Sequence, residues 1–368
     1  MDIFLVGGAV RDLLLGRRPK DLDFAFSGSR EAFAGEHRKT RIVGRSVKVC
    51  LWRGREYMPL RDNSLQCDLA ARDLTINALA LEENGRLHCH PLALRDLRDG
   101  ILRPASPRAF LEDPARVYRV ARFAAALPHF RLAGECVNLM RAVPDESLRR
   151  IPAERVGHEL RKALAASRPG RFLQVLDETS CLRIWFEELK GASSVPAGPL
   201  PGHEGSVLAH TVNLMNALRG NAVAVWMALC HDLGKTGMPQ EELPYHCGHE
   251  KRSMEKAVLL GRRLCLPRHY QRAGSLAAEE QTKARLLLSL RPGRQRDVLW
   301  RVYRSGFHKA FWRMVEADSG SPLFAEATRR VNLLRAIHLP PEWRNQGERA
   351  EARLRRLHCA ALAARRRR

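Results

Sequence analysis

The segments LVGGAVRDLLLG (residues 5–16) and KDLDFAF (residues 20–26) decide the fold of the first hundred residues. The first one continues a short apolar run, Ile3–Val6, which predicts a buried strand. Its glycine pair then predicts a tight turn, and the remainder predicts a helix that ends at Gly16. Polar and apolar residues alternate in Asp21–Phe26, which predicts a second strand. Strand, helix and strand in this order predict a small unit with a mixed sheet.

Further strands and helices extend this pattern along the chain. Strands are predicted at Val47–Trp52 and Glu56–Leu60. After Pro107 the pattern becomes helical, and Gly191–Gly205, which is rich in Gly, Pro and Ser, is the predicted linker. We therefore predict an α+β protein, with a small mixed-sheet head followed by an all-α neck, body and helical C-terminal part. The predicted domains are residues 1–105, 106–190 and 203–320, with a basic tail at 321–368.

The charge of the chain favours a polyanionic partner. Lys and Arg total 63 against 40 Asp and Glu, which gives a formal net charge of +23. Such an excess attracts nucleic acid. An arginine-rich proteome with no special partner is the alternative. Arg365–Arg368 predict a disordered basic arm that attracts phosphate.

Cysteine spacing and hydropathy exclude other classes of protein. The nine cysteines are odd in number, scattered, and never arranged as CxxC. This spacing argues against a disulfide framework and against a zinc ribbon. No stretch approaches the roughly 18 apolar residues that span a membrane. The short apolar run at the N-terminus lacks the features of a signal peptide. We therefore expect a cytoplasmic protein that does not associate with membranes.

Two carboxylates in the second segment form the first candidate site. Asp21 and Asp23 lie two residues apart on a predicted strand, so their side chains are expected on the same face. Adjacent carboxylates repel each other unless a cation bridges them. Mg²⁺ suits this position because it binds one or two carboxylates together with substrate phosphates. Two such ions would activate a 3′ hydroxyl and stabilise a pyrophosphate leaving group. A solvated strand edge is the alternative.

The glycine pair adds a candidate phosphate site. Gly8 stands directly before the predicted helix, so bare backbone amides are able to approach a triphosphate. Arg11 lies in the first turn and is able to pair with phosphate oxygens. In RDLTINALA (residues 72–80), Arg72 is a second candidate for the phosphates or the sugar. Taken alone, the glycines predict only a tight turn, and Arg11 predicts only a surface charge. The segment RDLTINALA, taken alone, predicts only a capped helix.

The segment EDPARVYRVARFAA (residues 112–125) offers groups that match a base. Asp accepts hydrogen bonds and Arg donates them. Asp113 and Arg116 together match a base edge that has an amino donor beside a ring-nitrogen acceptor. Cytosine and adenine both present this pattern, whereas guanine and uracil present the reverse. Arg119 and Arg122 follow on the same predicted helix. A salt-bridged amphipathic helix is the alternative.

These segments, in this order, resemble the class II tRNA nucleotidyltransferases, or CCA-adding enzymes. The resemblance is stronger to the bacterial multifunctional type with an HD domain. ERVGHEL (residues 154–160) and ALCHDLGK (residues 228–235) extend it to about residue 320. It implies a nucleotidyltransferase head, a helical neck that binds RNA, an HD phosphohydrolase domain, and a body and tail that hold the acceptor arm of tRNA.

The resemblance also implies roles for individual residues. Asp21 and Asp23 would bind Mg²⁺. Contacts to the incoming CTP or ATP are implied for Gly8, Arg11 and Arg72. Base recognition is implied for Asp113 and Arg116, with Arg119 and Arg122 close to the nucleotide.

A second metal site is predicted in the helical region. An imidazole beside a carboxylate is able to hold a divalent transition metal. His210, His231, Asp232 and Asp318 follow the order H…HD…D of HD phosphohydrolases, and Ni²⁺ is one candidate ion. The metal would polarise a water for attack on a phosphoester. Here the resemblance implies phosphatase and 2′,3′-cyclic phosphodiesterase activity. His246 and His249 are candidates for a further ligand or a substrate contact.

The chain departs from the family pattern at several places. Only Arg61–Ala71 separate the second hairpin from RDLTINALA, where the family has a longer flexible loop that helps to switch specificity from C to A. Ala71 replaces an arginine, and His90-Pro91 replaces Asp-Pro. A CC-adding enzyme therefore stays open as an alternative, as do a bacterial poly(A) polymerase, an HD phosphohydrolase with an inactive head, and a non-catalytic RNA-binding protein.

Overall fold

The computed structural model describes residues 1–44, 48–198, 205–246, 248–343 and 346–366. The chain divides into two units, each with its own internal contacts. Unit 1 comprises Met1–Ile151 and Val175–Cys181, and unit 2 comprises Pro152–Gln174 and Leu182–Arg368. Parts of the predicted linker (199–204) and of the basic arm (367–368) lie outside the described residues.

The described part of unit 1 contains a seven-stranded sheet in the order β3-β4-β5-β2-β1-β6-β7. Neighbouring strands are antiparallel except for β2 and β5, which run parallel. The sheet is therefore mixed, as predicted. Its strands are β1 (Ile3–Val6), β2 (Asp23–Phe26), β3 (Arg41–Val43), β4 (Val49–Trp52), β5 (Arg55–Pro59), β6 (Leu79–Glu82) and β7 (Leu87–Cys89).

Strand β2 is shorter than the sequence predicts. It begins at Asp23, and Asp21 lies in a bend before it. Asp21 is therefore not part of the strand whose alternating side chains would place it on the same face as Asp23. Strand β5 is shifted by one residue, to Arg55–Pro59, and Val47 of the predicted fourth strand lies outside the described residues.

Some helices of unit 1 pack against this sheet, and others follow it in the chain. Two short parallel strands, β8 (Ile101–Leu102) and β9 (Arg131–Leu132), lie among them. The helices are α1 (Gly8–Leu14), α2 (Arg30–Glu36), α3 (Leu65–Ala70), α4 (Ala93–Asp99), α5 (Ala109–Glu112), α6 (Arg116–Ala126), α7 (Gly134–Arg141) and α8 (Asp145–Arg149).

Two predicted helices of unit 1 differ from the sequence-based expectation. The segment RDLTINALA forms no α-helix but a 3₁₀ turn, Thr75–Asn77, followed by the first two residues of β6, and Asp73 accepts a hydrogen bond from the Leu74 N–H at 2.9 Å. Side chains that bond to their own backbone compete with helix formation. The sequence favours a helix start at Asp113-Pro114, with Asp as the cap and Pro at the first position, whereas α6 begins at Arg116. Asp113 precedes it in extended conformation and accepts a hydrogen bond from the Ala115 N–H.

Unit 2 is helical throughout its described regular structure. Gly157 allows α9 to pack closely, since a Cβ there would lie 2.0 Å from the Leu264 carbonyl oxygen. Ser206 caps α12 by accepting a hydrogen bond from the Ala209 N–H. The helices that follow α8 are α9 (Ala153–Leu164), α10 (Arg171–Glu178), α11 (Leu182–Trp185), α12 (Val207–Ala217), α13 (Ala222–Cys230), α14 (His249–Arg263), α15 (Arg268–Arg285), α16 (Pro292–Arg304), α17 (His308–Ser319), α18 (Leu323–Arg335) and α19 (Glu348–Arg366). Helix α10 is shared, with its residues from Val175 onward belonging to unit 1.

Two further observations concern the whole described chain. None of the helices within the described ranges combines the length and the apolar character needed to cross a bilayer. Every cysteine that the structure describes is a free thiol.

Candidate nucleotide and metal sites

The turn between β1 and α1 holds two arginine side chains against its glycines. Gly7 has a φ of +70°, a conformation that favours glycine. A Cβ at Gly7 would lie 3.4 Å from Arg72 Nη1, and one at Gly8 would lie 3.5 Å from Arg11 Nη2. Two guanidinium groups therefore meet at the turn beside the Gly8 amide, whereas the Gly7 N–H donates to the Leu79 carbonyl at 2.9 Å. Such a pair of cations is a suitable arrangement for phosphate oxygens.

A chain of hydrogen bonds fixes Arg11 from behind. Its Nη1 donates to Asn77 Oδ1 at 2.6 Å, and Asn77 Nδ2 donates to Asp73 Oδ1 at 2.9 Å. Asp73 Oδ2 in turn accepts from Arg119 Nε at 2.9 Å. The ring of Phe123 supports Arg11 at 5.3 Å from the guanidinium carbon. The network joins α1, the 3₁₀ turn and α6, so Arg11 is held in place before any ligand binds.

Asp73 is the buried anion of this network. Burial alone would raise its pKa, but the Arg119 charge and hydrogen bonds from Asn77, Arg119 and the Leu74 N–H outweigh it and lower the pKa. Asp73 is therefore ionised at neutral pH and balances the positive charge of Arg119. The sequence alone gave no role to Asp73 or Asn77, because their partners lie on other elements.

The carboxylates Asp21 and Asp23 are both exposed. In the sheet register Asp23 stands opposite Val6, directly before the glycine turn, and on its other side opposite Glu56 of β5. Residues opposite each other in a sheet project to the same face. Glu56 is thus a third carboxylate beside Asp23, which sequence spacing did not reveal because strand order depends on tertiary structure. Exposed carboxylate oxygens are the ligands that Mg²⁺ prefers.

Of the predicted base-reading residues, Asp113 lies just before α6 and Arg116 is its first residue. Arg116 donates from Nη2 to the Ala71 carbonyl at 2.6 Å and from Nη1 to the Ala109 carbonyl at 3.1 Å. Its Nε lies 4.0 Å from Asp113 Oδ2. The guanidinium carbon of Arg122 lies 3.7 Å from the ring centre of Phe123. Arg116 is thereby anchored by two backbone carbonyls, and it keeps its Nε side toward Asp113.

The four predicted ligands of the HD site converge in unit 2. His231 Nε2 lies 3.0 Å from Asp232 Oδ2, and His210 Nε2 lies 3.0 Å from Asp318 Oδ1. The two Nε2 atoms are 3.3 Å apart. His210, His231 and Asp232 offer ligand atoms that all lie within 4.8 Å of one another. Imidazole nitrogens and carboxylate oxygens in this mixture suit a divalent transition metal.

Hydrogen bonds outside the cluster orient its ligands. His231 Nδ1 lies 2.7 Å from the Ala228 carbonyl and donates to it, which leaves the Nε2 lone pair facing the cluster. Lys235 Nζ lies 2.8 Å from Asp232 Oδ2, and His249 Nε2 lies 3.3 Å from Asp232 Oδ1. His246 instead directs Nε2 to the Pro196 carbonyl at 2.8 Å. Of the two additional histidines, only His249 therefore contacts one of the four predicted ligands.

Known proteins closely resemble the chain over most of its length. It is 36% identical over 327 residues to the multifunctional CCA protein of Pseudomonas fluorescens, covering 81% of this chain and 79% of that protein. It is also 36% identical over 318 residues to the multifunctional CCA protein of Aromatoleum aromaticum, covering 79% of this chain and 77% of that protein. The chain belongs to the multifunctional CCA protein family. This membership confirms the resemblance to class II CCA-adding enzymes.

Family models match two segments of the chain, and a solved structure shares its fold. The model of the poly A polymerase head domain matches residues 3–58, and that of a probable RNA- and SrmB-binding site of polymerase A matches residues 129–192. The fold is similar to that of the Bacillus stearothermophilus CCA-adding enzyme in complex with CTP, with a TM-score of 0.69 and 24% identity. The match covers 99% of this chain and 89% of that chain. The predicted fold class, a mixed-sheet head followed by helices, is confirmed.

Proposed function

We propose that this chain adds C, C and A to the 3′ end of tRNA without a template, using CTP and ATP and releasing pyrophosphate. Family membership supports the reaction, and one structural observation carries its assignment to this head: Arg11 and Arg72 meet at the glycine turn beside Asp23. A nucleoside triphosphate needs this combination of cations for its phosphates and carboxylates for its metal ions.

Each group at the turn has a separate task in this proposal. Arg11 and Arg72 bind the triphosphate, and the amide of Gly8 approaches a phosphate oxygen. Asp21 and Asp23, with Glu56 beside Asp23, would hold Mg²⁺. When bound, that ion activates the tRNA 3′ hydroxyl and stabilises the pyrophosphate. Because Arg11 is already fixed by Asn77, little reorganisation is required when the nucleotide enters.

Asp113 and Arg116 select the base in this proposal. The carboxylate accepts a hydrogen bond from the amino group that cytosine and adenine share, and the guanidinium donates to the adjacent ring nitrogen. Guanine and uracil would leave both groups without partners, which is costly in a partly buried site. The two backbone carbonyls that hold Arg116 support this fixed pattern of donors.

The experiment that tests the proposal supplies a tRNA lacking its CCA end with Mg²⁺ and with CTP, ATP or both. Products are separated at single-nucleotide resolution. We expect two added nucleotides with CTP alone and three with both. A stop after two nucleotides with both present would indicate a CC-adding enzyme, and extension with ATP alone would indicate a poly(A) polymerase.

We also propose that the cluster of His210, His231, Asp232 and Asp318 binds a divalent transition metal, with Ni²⁺ as one candidate, and hydrolyses 2′,3′-cyclic phosphates and phosphomonoesters. The convergence of all four ligands supports this second activity. A bound metal would supply an activated water at neutral pH. We place both activities in the cytoplasm, where tRNA is processed.

The two activities are separable by variants. His231→Gln should abolish release of phosphate from a 2′,3′-cyclic nucleotide and leave CTP addition intact, and Asp23→Asn should do the reverse. Retention of hydrolysis in His231→Gln would place that reaction elsewhere. Loss of hydrolysis in Asp23→Asn with the melting temperature unchanged would likewise exclude two independent sites.

A further inference from the structure

Unit 2 contains a cavity of about 690 Å³ among α14, α15, α16 and the first turn of α19. The volume lies within the range of about 300–1,000 Å³ that is typical of small-molecule sites. None of the four predicted HD ligands lines it. The cavity is therefore a separate feature of unit 2, and its chemistry follows from its own residues.

Arginines dominate the charge of this cavity. Two of them are neutralised, since Arg301 pairs with Glu279 and Arg296 with Glu351. Three others line the cavity and form no ion pair with any acid in the part of the chain that the structure describes. These three are Arg262, Arg272 and Arg304. Three exposed cations around one concave surface create a site for an anion.

Arg296 carries a buried polar atom without a hydrogen-bond partner in the described part of the chain. Only 7% of this residue is exposed, and its Nε is buried without a hydrogen-bond partner among the described atoms. A buried donor without an acceptor destabilises the folded state. Because this nitrogen has almost no accessible surface, a ligand in the cavity would contact the three exposed arginines instead.

Aromatic rings complete the lining. Trp300 and Phe307 are half-buried and border the cavity. Trp300 is held edge-on against His358, with ring centres 4.9 Å apart. The guanidinium carbon of Arg272 lies 5.9 Å from the ring centre of Phe307. Fixed aromatic faces beside guanidinium groups are the combination on which nucleobases stack while their phosphates are neutralised.

We propose that this cavity binds a nucleotide, with its phosphate against Arg262, Arg272 and Arg304 and its base against Trp300 or Phe307. The nucleotide is either free or part of a bound RNA strand, since both present the same phosphate and base. The site is independent of the proposed catalysis because its lining residues contribute nothing to the turn at Gly7–Gly8.

Photolabelling of the full-length protein tests this proposal in two arms. One arm uses 8-azidoadenosine 5′-monophosphate, and the other uses a tRNA lacking CCA that carries 4-thiouridine. Mg²⁺ is omitted so that labelling does not depend on nucleotide addition. We expect label on the peptide that contains Trp300 or Phe307 in at least one arm, and the arm identifies the source. Label confined to other peptides in both arms would overturn the proposal.

Labelling is then compared between a variant with a reversed charge at the cavity and a control variant with the same reversal elsewhere. Arg304→Glu should reduce labelling of that peptide about tenfold, as expected for loss of one charge-assisted phosphate contact. Arg219→Glu changes the net charge equally at an exposed residue that does not line the cavity. Equal loss in both variants, or no loss in Arg304→Glu, would show that the label reflects general charge attraction and would reject the site.

Discussion

Asn77 Oδ1 accepts a hydrogen bond of 2.6 Å from Arg11 Nη1, although 66 residues separate them in the chain. The same amide donates through Nδ2 to Asp73. Asn77 thus links the proposed phosphate-binding arginine to a buried carboxylate. Arg11 is oriented by the protein itself, and its position depends on a residue that need not touch the nucleotide.

Replacing Asn77 should weaken nucleotide binding through Arg11. In Asn77→Ala, Arg11 and Asp73 each lose a buried partner, which should lower the free energy of unfolding by about 1–3 kcal/mol. We expect the KM for CTP to rise about tenfold, equivalent to about 1.4 kcal/mol. Steady-state addition of CTP to tRNA measures this effect. Asn213→Ala, at an exposed residue of α12, is the control. An unchanged KM in Asn77→Ala would contradict the role of the network.

The buried carboxylate of Asp73 should make stability dependent on pH in the acid range. Its pKa in the folded protein lies below the ordinary value of 3.8. The unfolded chain therefore binds the proton first, and the stabilisation present above about pH 5 is lost as the pH falls. In urea unfolding between about pH 6 and pH 3, the free energy of unfolding should depend less steeply on pH for Asp73→Asn than for the wild type. Identical slopes would exclude Asp73 as a contributor.

His358 should produce a second pH dependence, in unit 2. Burial and the neighbouring charge of Arg296 lower its pKa from 6.5. As the pH falls below about 6.5, this histidine binds a proton in the unfolded state before it does so in the folded state. The free energy of unfolding therefore decreases. The melting temperature should fall less between about pH 7.5 and pH 5.5 for His358→Gln than for the wild type. His269→Gln, at an exposed position, should behave like the wild type.

Close packing at Gly234 should control the HD site. A Cβ there would lie 2.2 Å from the His249 carbonyl oxygen and 2.6 Å from the Ser253 N–H nitrogen. Gly234→Ala must therefore displace the start of α14, and with it the contact between His249 and Asp232. We expect at least about tenfold weaker metal binding, or roughly 1.4 kcal/mol. Calorimetric titration with Ni²⁺ measures it, and CTP addition should persist. Gly35→Ala, which meets nothing within 4 Å, is the control.

The sequence was sufficient to predict those structural features that depend on interactions between neighbouring residues. Strand β1 was predicted with its observed bounds because its apolar run ends at a glycine pair. Ser206 caps α12 directly after the predicted linker, which ends at Gly205. In both cases the deciding interactions lie within a few residues, and neither requires knowledge of strand order.

Tertiary partners decided the features that the sequence did not reveal. The helix expected over RDLTINALA is replaced by a 3₁₀ turn because Asp73 and Asn77 bond to each other, and Arg11 and Arg119 bond to them. Glu56 stands beside Asp23 only because β5 runs parallel to β2. Both arrangements depend on contacts between segments far apart in the chain, which periodicity and spacing do not encode.

We propose that Asp21 and Asp23 hold the metal ions through which a tRNA end is extended. The most direct test of this claim is single-turnover addition of labelled CTP to a tRNA lacking CCA, comparing the wild type with Asp21→Asn and Asp23→Asn at equal melting temperature. Removing either carboxylate should slow addition by at least about a thousandfold, equivalent to roughly 4 kcal/mol of transition-state stabilisation. Extension at the wild-type rate by either variant would contradict the claim.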